Sequence, residues 1–411
     1  MRRRLAILIL ASSLLTTAPL GAAERSLDPL LQLLVTKGVL TEAEARALAE
    51  EAATAQTPAA AAPAELPAGL KGLKIGALAY VSYQDGTQNT GGGQSGYSKL
   101  VLKRGYVDIR KEITRFFSAR VTPDVTLDTS GDSKLRLKYI YGQFQRPQLG
   151  FLGKPYVELG MAHMPWLDFE EHVNLFRMQD TMYLERNGLF NSADLGVLVG
   201  ANLGPELPED YRSSVSSAYA GRWGSFALGV YNGGGYHAAE KNSNKVVEGR
   251  LSLRPLPDVV PGLQLSVFGL AGKGNIEETA DVEAPDWDLL AAMLSYESRR
   301  LALTGQYSIG SGNQKGLMVD ADGNALDHRG CSLFAEVRLD QDKHWSAFAR
   351  HDHFDPATED PNADVTDRGI IGLAWQFTKG NYWVLDYDRL DHDLASLGTE
   401  DRLQLTLQIK Y

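Results

Sequence analysis

The sequence predicts an all-β chain, a transmembrane antiparallel β-barrel of about 16 strands, with about 18 possible, behind a short helical segment. Three observations carry that expectation. The last ten residues alternate strictly between apolar and polar, many upstream segments repeat the alternation, and short links between them take turns with long polar ones.

The ending, Arg402 to Tyr411, reads RLQLTLQIKY. Leu403, Leu405, Leu407, Ile409 and Tyr411 fall on one face, and Arg402, Gln404, Thr406, Gln408 and Lys410 on the other. A period of two is the geometry of an extended strand. A strand with lipid on one side and water on the other, closing a barrel, needs this pattern, since no backbone group can go unpaired in hydrocarbon.

Taken from the start, Arg2 to Arg4, the apolar run Leu5 to Leu15 and Gly21-Ala22-Ala23 form a secretory signal peptide over 1–23. Residues 24–55 follow as a helical segment expected in the periplasm. Leu27 to Val35 is one helix, and Thr41 to Glu44 is a capping box for a second over Ala43 to Ala53. An Ala/Pro linker occupies 56–70, with Gln56 to Pro67 at its centre. Beyond the signal, no run of about 18 apolar residues occurs, so helices do not span a membrane here.

From 71 to 411 the pattern is strand, turn, strand. Phe117, Ala119, Val121, Val125 and Leu127 alternate with Ser118, Arg120, Thr122, Asp124 and Thr126. Leu135, Leu137, Tyr139 and Tyr141 stand against Arg136 and Lys138, and Val247, Gly249, Leu251 and Leu253 against Glu248, Arg250, Ser252 and Arg254. Cys331, Leu333, Ala335 and Val337, then Gly369, Ile371, Leu373, Trp375 and Phe377, continue the apolar series. Short links near Ile113, Pro255 to Gly262, Glu297 to Arg300, Asp340 to Lys343 and Thr378 to Asn381 alternate with polar loops such as Asp85 to Tyr97, Gly233 to Asn244 and Ser311 to Arg329. The stretch Gly204 to Gly224 decides between the two strand counts: an insertion gives the lower, a strand pair the higher.

Composition excludes some functions. A net charge of -10 argues against a nucleic-acid partner, and the single Cys331 excludes an intrachain disulfide. Averages otherwise fit both a barrel and a soluble exported enzyme.

The third loop, 165–192, breaks the alternation with PWLDFEEHVNLFRMQDTMYLERNGLFNS. It is too amphiphilic for an ordinary exposed loop, and folded inward it would narrow a pore. Its charges, Asp168, Glu170, Glu171, Arg177, Asp180, Glu185 and Arg186, are the expected constriction residues. Inward strand positions supply a pore wall of Arg110, Arg120, Arg136, Lys138, Arg250, Arg254, Arg338, Arg402 and Lys410, against Asp108, Asp124, Asp128, Glu248 and Glu336. An acidic loop facing a basic wall sets a transverse field, which favours a general or weakly selective channel.

The motifs MYLERNG, ADLGVLVG, SFALGVYNGGG and VVEGRLSLRP, in that order after a signal peptide and helical region, resemble the phosphate-selective porin O/P family over Leu73 to Tyr411. The resemblance implies an outer-membrane channel for small solutes or ions, of about 16 strands and homotrimeric, with lipid and lipopolysaccharide as its surroundings. Phosphate is not carried over, because the third loop is acidic.

Other chemistry is weakly signalled. His351, Asp352, His353 and Asp355 form the best metal-like cluster, but read better as polar groups near a rim. Asp320 to Asn324 fails as a calcium loop, with Ala325 where glycine is needed. Neither Gly310-Ser311-Gly312 nor Gly233-Gly234-Gly235 completes a phosphate loop, and no nucleophile elbow occurs, so no metal, cofactor or catalytic residue is assigned. A barrel hydrolase and a sleeve or anchor for a partner such as a multihaem electron carrier are the alternative functions. No haem-attachment motif is present, so any redox centre would be the partner's.

Overall fold

The structure is a computed structural model that describes residues 29–55, 68–91, 93–127 and 130–411. The expected signal peptide and the core of the Ala/Pro linker lie outside the described residues. The chain divides into two units at Gly69 and Leu70. In the first, helices α1 (Pro29–Thr36) and α2 (Glu42–Ala55) are joined by a turn. The capping box holds as the sequence suggests: the Thr41 amide donates to Glu44 Oε2 at 2.8 Å, and the Glu44 amide to Thr41 Oγ1 at 3.3 Å.

The second unit is one sheet. Its strands are β1 (Leu73–Thr90), β2 (Gly93–Glu112), β3 (Phe117–Leu127), β4 (Ser133–Gln145), β5 (Gln148–Leu149), β6 (Leu152–His163), β7 (Ala193–Leu203), β8 (Gly224–Tyr231), β9 (Val246–Leu253), β10 (Leu263–Lys273), β11 (Asp286–Glu297), β12 (Leu301–Ser311), β13 (Asp327–Arg338), β14 (Trp345–Asp355), β15 (Thr366–Thr378), β16 (Asn381–His392) and β17 (Glu400–Lys410). Since β5 is a two-residue ribbon inside a turn, sixteen strands span the barrel. All neighbours are antiparallel, and β17 closes on β1 from Leu78 opposite Lys410 to Thr87 opposite Asp401. Closure leaves no sheet edge, the condition for a sheet in hydrocarbon.

The outward positions are those the alternation predicts. Val107, Leu135, Val197, Leu228, Leu251, Val267, Leu294, Leu333, Ile371, Leu385 and Leu403 are large, apolar and exposed. Trp345 stacks on Trp375 at 5.8 Å, and Phe377 and Trp383 also lie near the β13–β14 and β15–β16 turns. Rings at this level suit a headgroup boundary.

Both ends of the barrel unit and most short links share one end, hereafter the turn end. One turn-end link is long: 204–223 is an insertion, not a strand pair, and carries α5 (Glu209–Ser214). Its stem is closed by the Leu207 amide on Ala220 O at 2.8 Å, and it ends on Gly224 at φ +126°. A Cβ there would sit 1.9 Å from Ser252 O, so glycine is required.

Two sequence expectations change. The expected polar loop Asp85 to Tyr97 is mostly hairpin, paired to Thr90 opposite Gly93. Asn89 extends it past the rim by donating to Gly398 O at 2.7 Å and receiving the Gly398 amide at 3.2 Å. Tyr139 and Tyr141, grouped with Leu135 and Leu137 by alternation, are buried and face the lumen instead. The cause is a β-bulge: Thr122 is opposite Tyr139 but Pro123 opposite Leu137, so Lys138 is an extra residue. A second bulge on β2 skips Lys103, with Tyr80 opposite Arg104 and Val81 opposite Leu102. Each bulge sends two consecutive side chains inward.

The lipid-facing assignment is testable by charge. Ile371→Arg at an exposed mid-strand position should destabilise the barrel by about 2–4 kcal/mol, read from denaturant unfolding in lipid vesicles. An unchanged midpoint would place Ile371 away from lipid.

Candidate functional site

The site is built from the loop between β6 and β7, with helices α3 (Leu167–Val173) and α4 (Tyr183–Arg186). Met164, Trp166, Leu167, Phe169, Met178, Met182, Leu184 and Leu189 are all buried. Their covering is the inner face of the barrel: Trp166 and Phe190 each lie 5.4 Å from Phe268, Phe176 stacks on Phe348 at 4.7 Å, and Tyr183 meets Phe354 edge-on at 6.3 Å. Burying such a side chain contributes about 1.5–3 kcal/mol, so the amphiphilic composition holds the loop against β8–β16.

Polar anchors fix its tip. The Asp180 carboxylate takes Arg402 at 3.1 Å, Arg368 at 3.3 Å and Arg186 at 3.7 Å. Arg368 continues to Asp388 at 2.7 Å, and Arg186 to Asp352 at 2.8 Å, which Arg350 also holds at 2.8 Å. Arg350 donates to Thr181 O at 2.9 Å, and the bulged Lys103 to Met178 O at 2.7 Å and Gln179 O at 3.0 Å. Burial alone would raise the Asp180 carboxyl, yet Arg186, Arg368 and Arg402 hold it well below the usual carboxylate range.

On the loop's other side Arg177 lies between Glu171 and Glu185, 2.6 Å from the latter. Burial disfavours the Glu185 carboxylate, but Arg177, Arg104 and Lys138 together keep its carboxyl lowered. The wall there is β2–β4. Arg110 and Arg120 share Asp108 at 2.6 Å each, Arg136 reaches Asp124 at 3.2 Å, and Lys138 Nζ donates to Tyr106 Oη at 3.0 Å. Arg120 also lies over the Tyr139 ring at 4.4 Å, and Lys138 over Tyr106 at 4.7 Å.

The remaining expected wall residues are elsewhere. Arg250 is buried beneath the loop, donating to Pro165 O at 3.0 Å; Arg338 pairs with Glu336 at 3.0 Å; Arg254 and the exposed Lys410 sit towards the turn end. Glu170 takes the Trp166 Nε1 proton at 3.0 Å, and burial pushes its carboxyl up to about 7. Sequence reasoning missed Lys103, Arg104, Arg350, Arg368 and Tyr219. The adjacent pairs Lys103-Arg104 and Lys138-Tyr139 were the available signal for the bulges. The His351 cluster is divided by the wall: His351 and His353 face outward near Asp367, at 3.5 and 3.1 Å, while Asp352 faces inward.

At the loop's base lies a polar cavity of about 290 Å³ lined by Arg110, Arg120, Glu158, His163, Asp168, His172 and Tyr219 among others. His163 Nε2 is 3.0 Å from Arg120 Nη1, an obligate donor, so Nε2 accepts and Nδ1–H donates to Glu158 at 2.8 Å. Asp168 accepts from the Tyr219 hydroxyl. Burial works against its carboxylate, but His172, that hydroxyl and Arg120 hold the carboxyl well below the ordinary range. Tyr219 belongs to the turn-end insertion, whose tip reaches other turns through Lys343 Nζ on Ser214 O at 2.6 Å and Arg299 on Asp210 at 2.9 Å.

Among solved structures the chain is similar to an anion-selective porin from Comamonas acidovorans, with TM-score 0.56 and 11% identity over 82% of this chain and 99% of that one. It is also similar to OmpF of Salmonella typhi in complex with daunomycin, TM-score 0.53, 11% identity, 82% and 97% covered. A loop-deletion mutant of OmpT, an outer membrane protein of Vibrio cholerae, gives TM-score 0.52 and 10% identity, with 82% and 99% covered. No family model and no curated protein matches the sequence. At these identities the likeness establishes the fold alone: a closed antiparallel β-barrel of the architecture these proteins share.

Asp180→Asn should leave Arg186, Arg368 and Arg402 short of a counter-charge and cost about 3–5 kcal/mol of barrel stability. Because the folded-state carboxyl is depressed, its stabilisation is present above the unfolded value of about 3.9 and is lost as pH falls through the folded one. The Asp180 contribution to stability should therefore persist from neutrality to about pH 4, fall only in stronger acid, and be missing from the variant. Denaturant unfolding in lipid vesicles across pH checks both.

Proposed function

We propose that this barrel lies in the bacterial outer membrane and forms a water-filled channel for passive diffusion of small charged solutes, narrowed by loop 165–192. The observation that carries the reading is a loop of mixed charge anchored against the inner wall, with Arg177 on Glu185 at 2.6 Å, Asp180 on Arg402 at 3.1 Å and Lys103 on Met178 O at 2.7 Å. Charges of both signs around one passage sort ions by field and size without dehydrating them.

Weak selectivity is the form that the geometry supports best. Arg110, Arg120, Arg136, Arg338 and Arg402 each have a carboxylate beside them, so the wall is not a bare cationic surface. Tight phosphate binding calls for clustered cations whose charge is not already matched. Membership of the phosphate-selective porin O/P family rests on the short motifs, and it enters with the same limit: the architecture is taken over and phosphate is not. The exposed apolar outer face suits a homotrimer in lipopolysaccharide-containing membrane.

A sleeve for a threaded partner needs an empty lumen, whereas here the loop occupies it, so the channel reading is preferred. On this reading the protein is a channel rather than an enzyme.

Planar-bilayer recordings in a salt gradient should give a cation-to-anion permeability ratio within roughly fivefold of unity, with millimolar phosphate leaving the chloride current intact. A ratio far outside that range, or block by phosphate, would overturn weak selectivity.

A further inference from the structure

The inward loop is held from the turn end as well as from the wall. Tyr219 is the one residue of the insertion 204–223 that touches the loop's base through a hydrogen bond, its hydroxyl donating to Asp168. Its ring packs edge-on against Phe169 at 5.2 Å and His172 at 5.5 Å, and the Arg250 guanidinium lies 4.8 Å from its centroid. Its backbone is at φ +45°, a left-handed conformation that a bulky residue rarely takes. Such a conformation persists only where the surroundings over-determine it. Here they do: the ring is clasped on three sides, and Arg254 Nη2 reaches the Tyr219 carbonyl at 3.4 Å.

The residue it holds matters for charge. Asp168 lines the polar cavity, with His163 and His172 each 3.8 Å from its carboxylate and Arg120 nearby. With the phenol proton in place, one carboxylate oxygen is committed. Without it, that oxygen keeps only the looser neighbour His172 at 3.8 Å, and the carboxylate can rotate further into the cavity it lines.

We propose that Tyr219 is a positioning residue for permeation: delivered from the turn end, it fixes the Asp168 carboxylate and the base of the inward loop, and so keeps one negative charge from the solute path. The proposal rests on the channel reading above and names a residue that reading does not need. It also makes the turn-end insertion part of the channel, coupled to the opposite loop through one hydrogen bond.

The test is Tyr219→Phe in the purified full-length protein, recorded in planar bilayers under a potassium chloride gradient. Removal of the hydroxyl alone should shift the permeability ratio towards cations by roughly twofold to fivefold, the effect of one unit charge a few ångströms from a watery path, and should raise open-channel noise. In Y219F/D168N the selectivity should equal that of D168N, since no carboxylate remains to be freed. Tyr219→Gly, which relieves the backbone but loses the ring, should show the same cation shift as Y219F, with heat-modifiable migration confirming a closed barrel. Wild-type selectivity and noise in Y219F, or a Y219F shift that survives D168N, overturns the proposal. R177Q and E185Q separate the two readings: if they move selectivity while Y219F does not, only the role of Tyr219 fails, and if neither moves it, the loop lies outside the path and both fail.

Discussion

Everything in this molecule follows from the obligation to pair each backbone amide and carbonyl inside hydrocarbon. Sixteen strands meet it only by closing, and β17 on β1 is the seam that does so. Closure then gives every strand two different solvents, lipid outside and the lumen inside. That division explains why Leu333, Ile371 and Leu403 are exposed while Ser332, Gln404 and Thr406 are buried. In a soluble protein the same burial pattern would be inside out.

A closed barrel of this size still leaves a wide interior, and the chain fills part of it with its own loop. The filling is apolar where it meets Phe268, Phe348 and Phe354, and ionic where it meets Asp352, Arg368 and Arg402. The ionic part is costly to break because partners desolvated together cannot be separated cheaply. The loop therefore behaves as fixed furniture, and Arg177 and Glu185, paired with each other on its other side, hold defined positions.

The fold was largely legible in the sequence, because lipid enforces a two-residue code that few other settings impose. The β17 alternation, the outward sets on β9, β13 and β15 and the capping box at Thr41 were all readable, whereas 204–223 stayed open between an insertion and a strand pair until the structure showed an insertion. The site was legible only in part. The loop stands out in the sequence by the failure of alternation, but the partners of its charged residues do not. Tyr139 and Tyr141 were put on the wrong face because a bulge resets the count silently. Arg350 and Arg368 lie on strands whose inward residues were not followed, and Tyr219 acts through a contact spanning 51 positions. Long-range pairing of that kind leaves no local trace.

The two bulges have an evolutionary consequence. On a regular strand, adding a charge to the lumen means replacing a residue already there, and the outer face is untouched only if the frame is kept. At Lys103 and Lys138 the extra residue is absorbed locally, so the lipid-facing register on either side is preserved. A lineage can thus retune such a channel by gaining or losing one codon, leaving the membrane-facing surface, on which assembly depends, as it was.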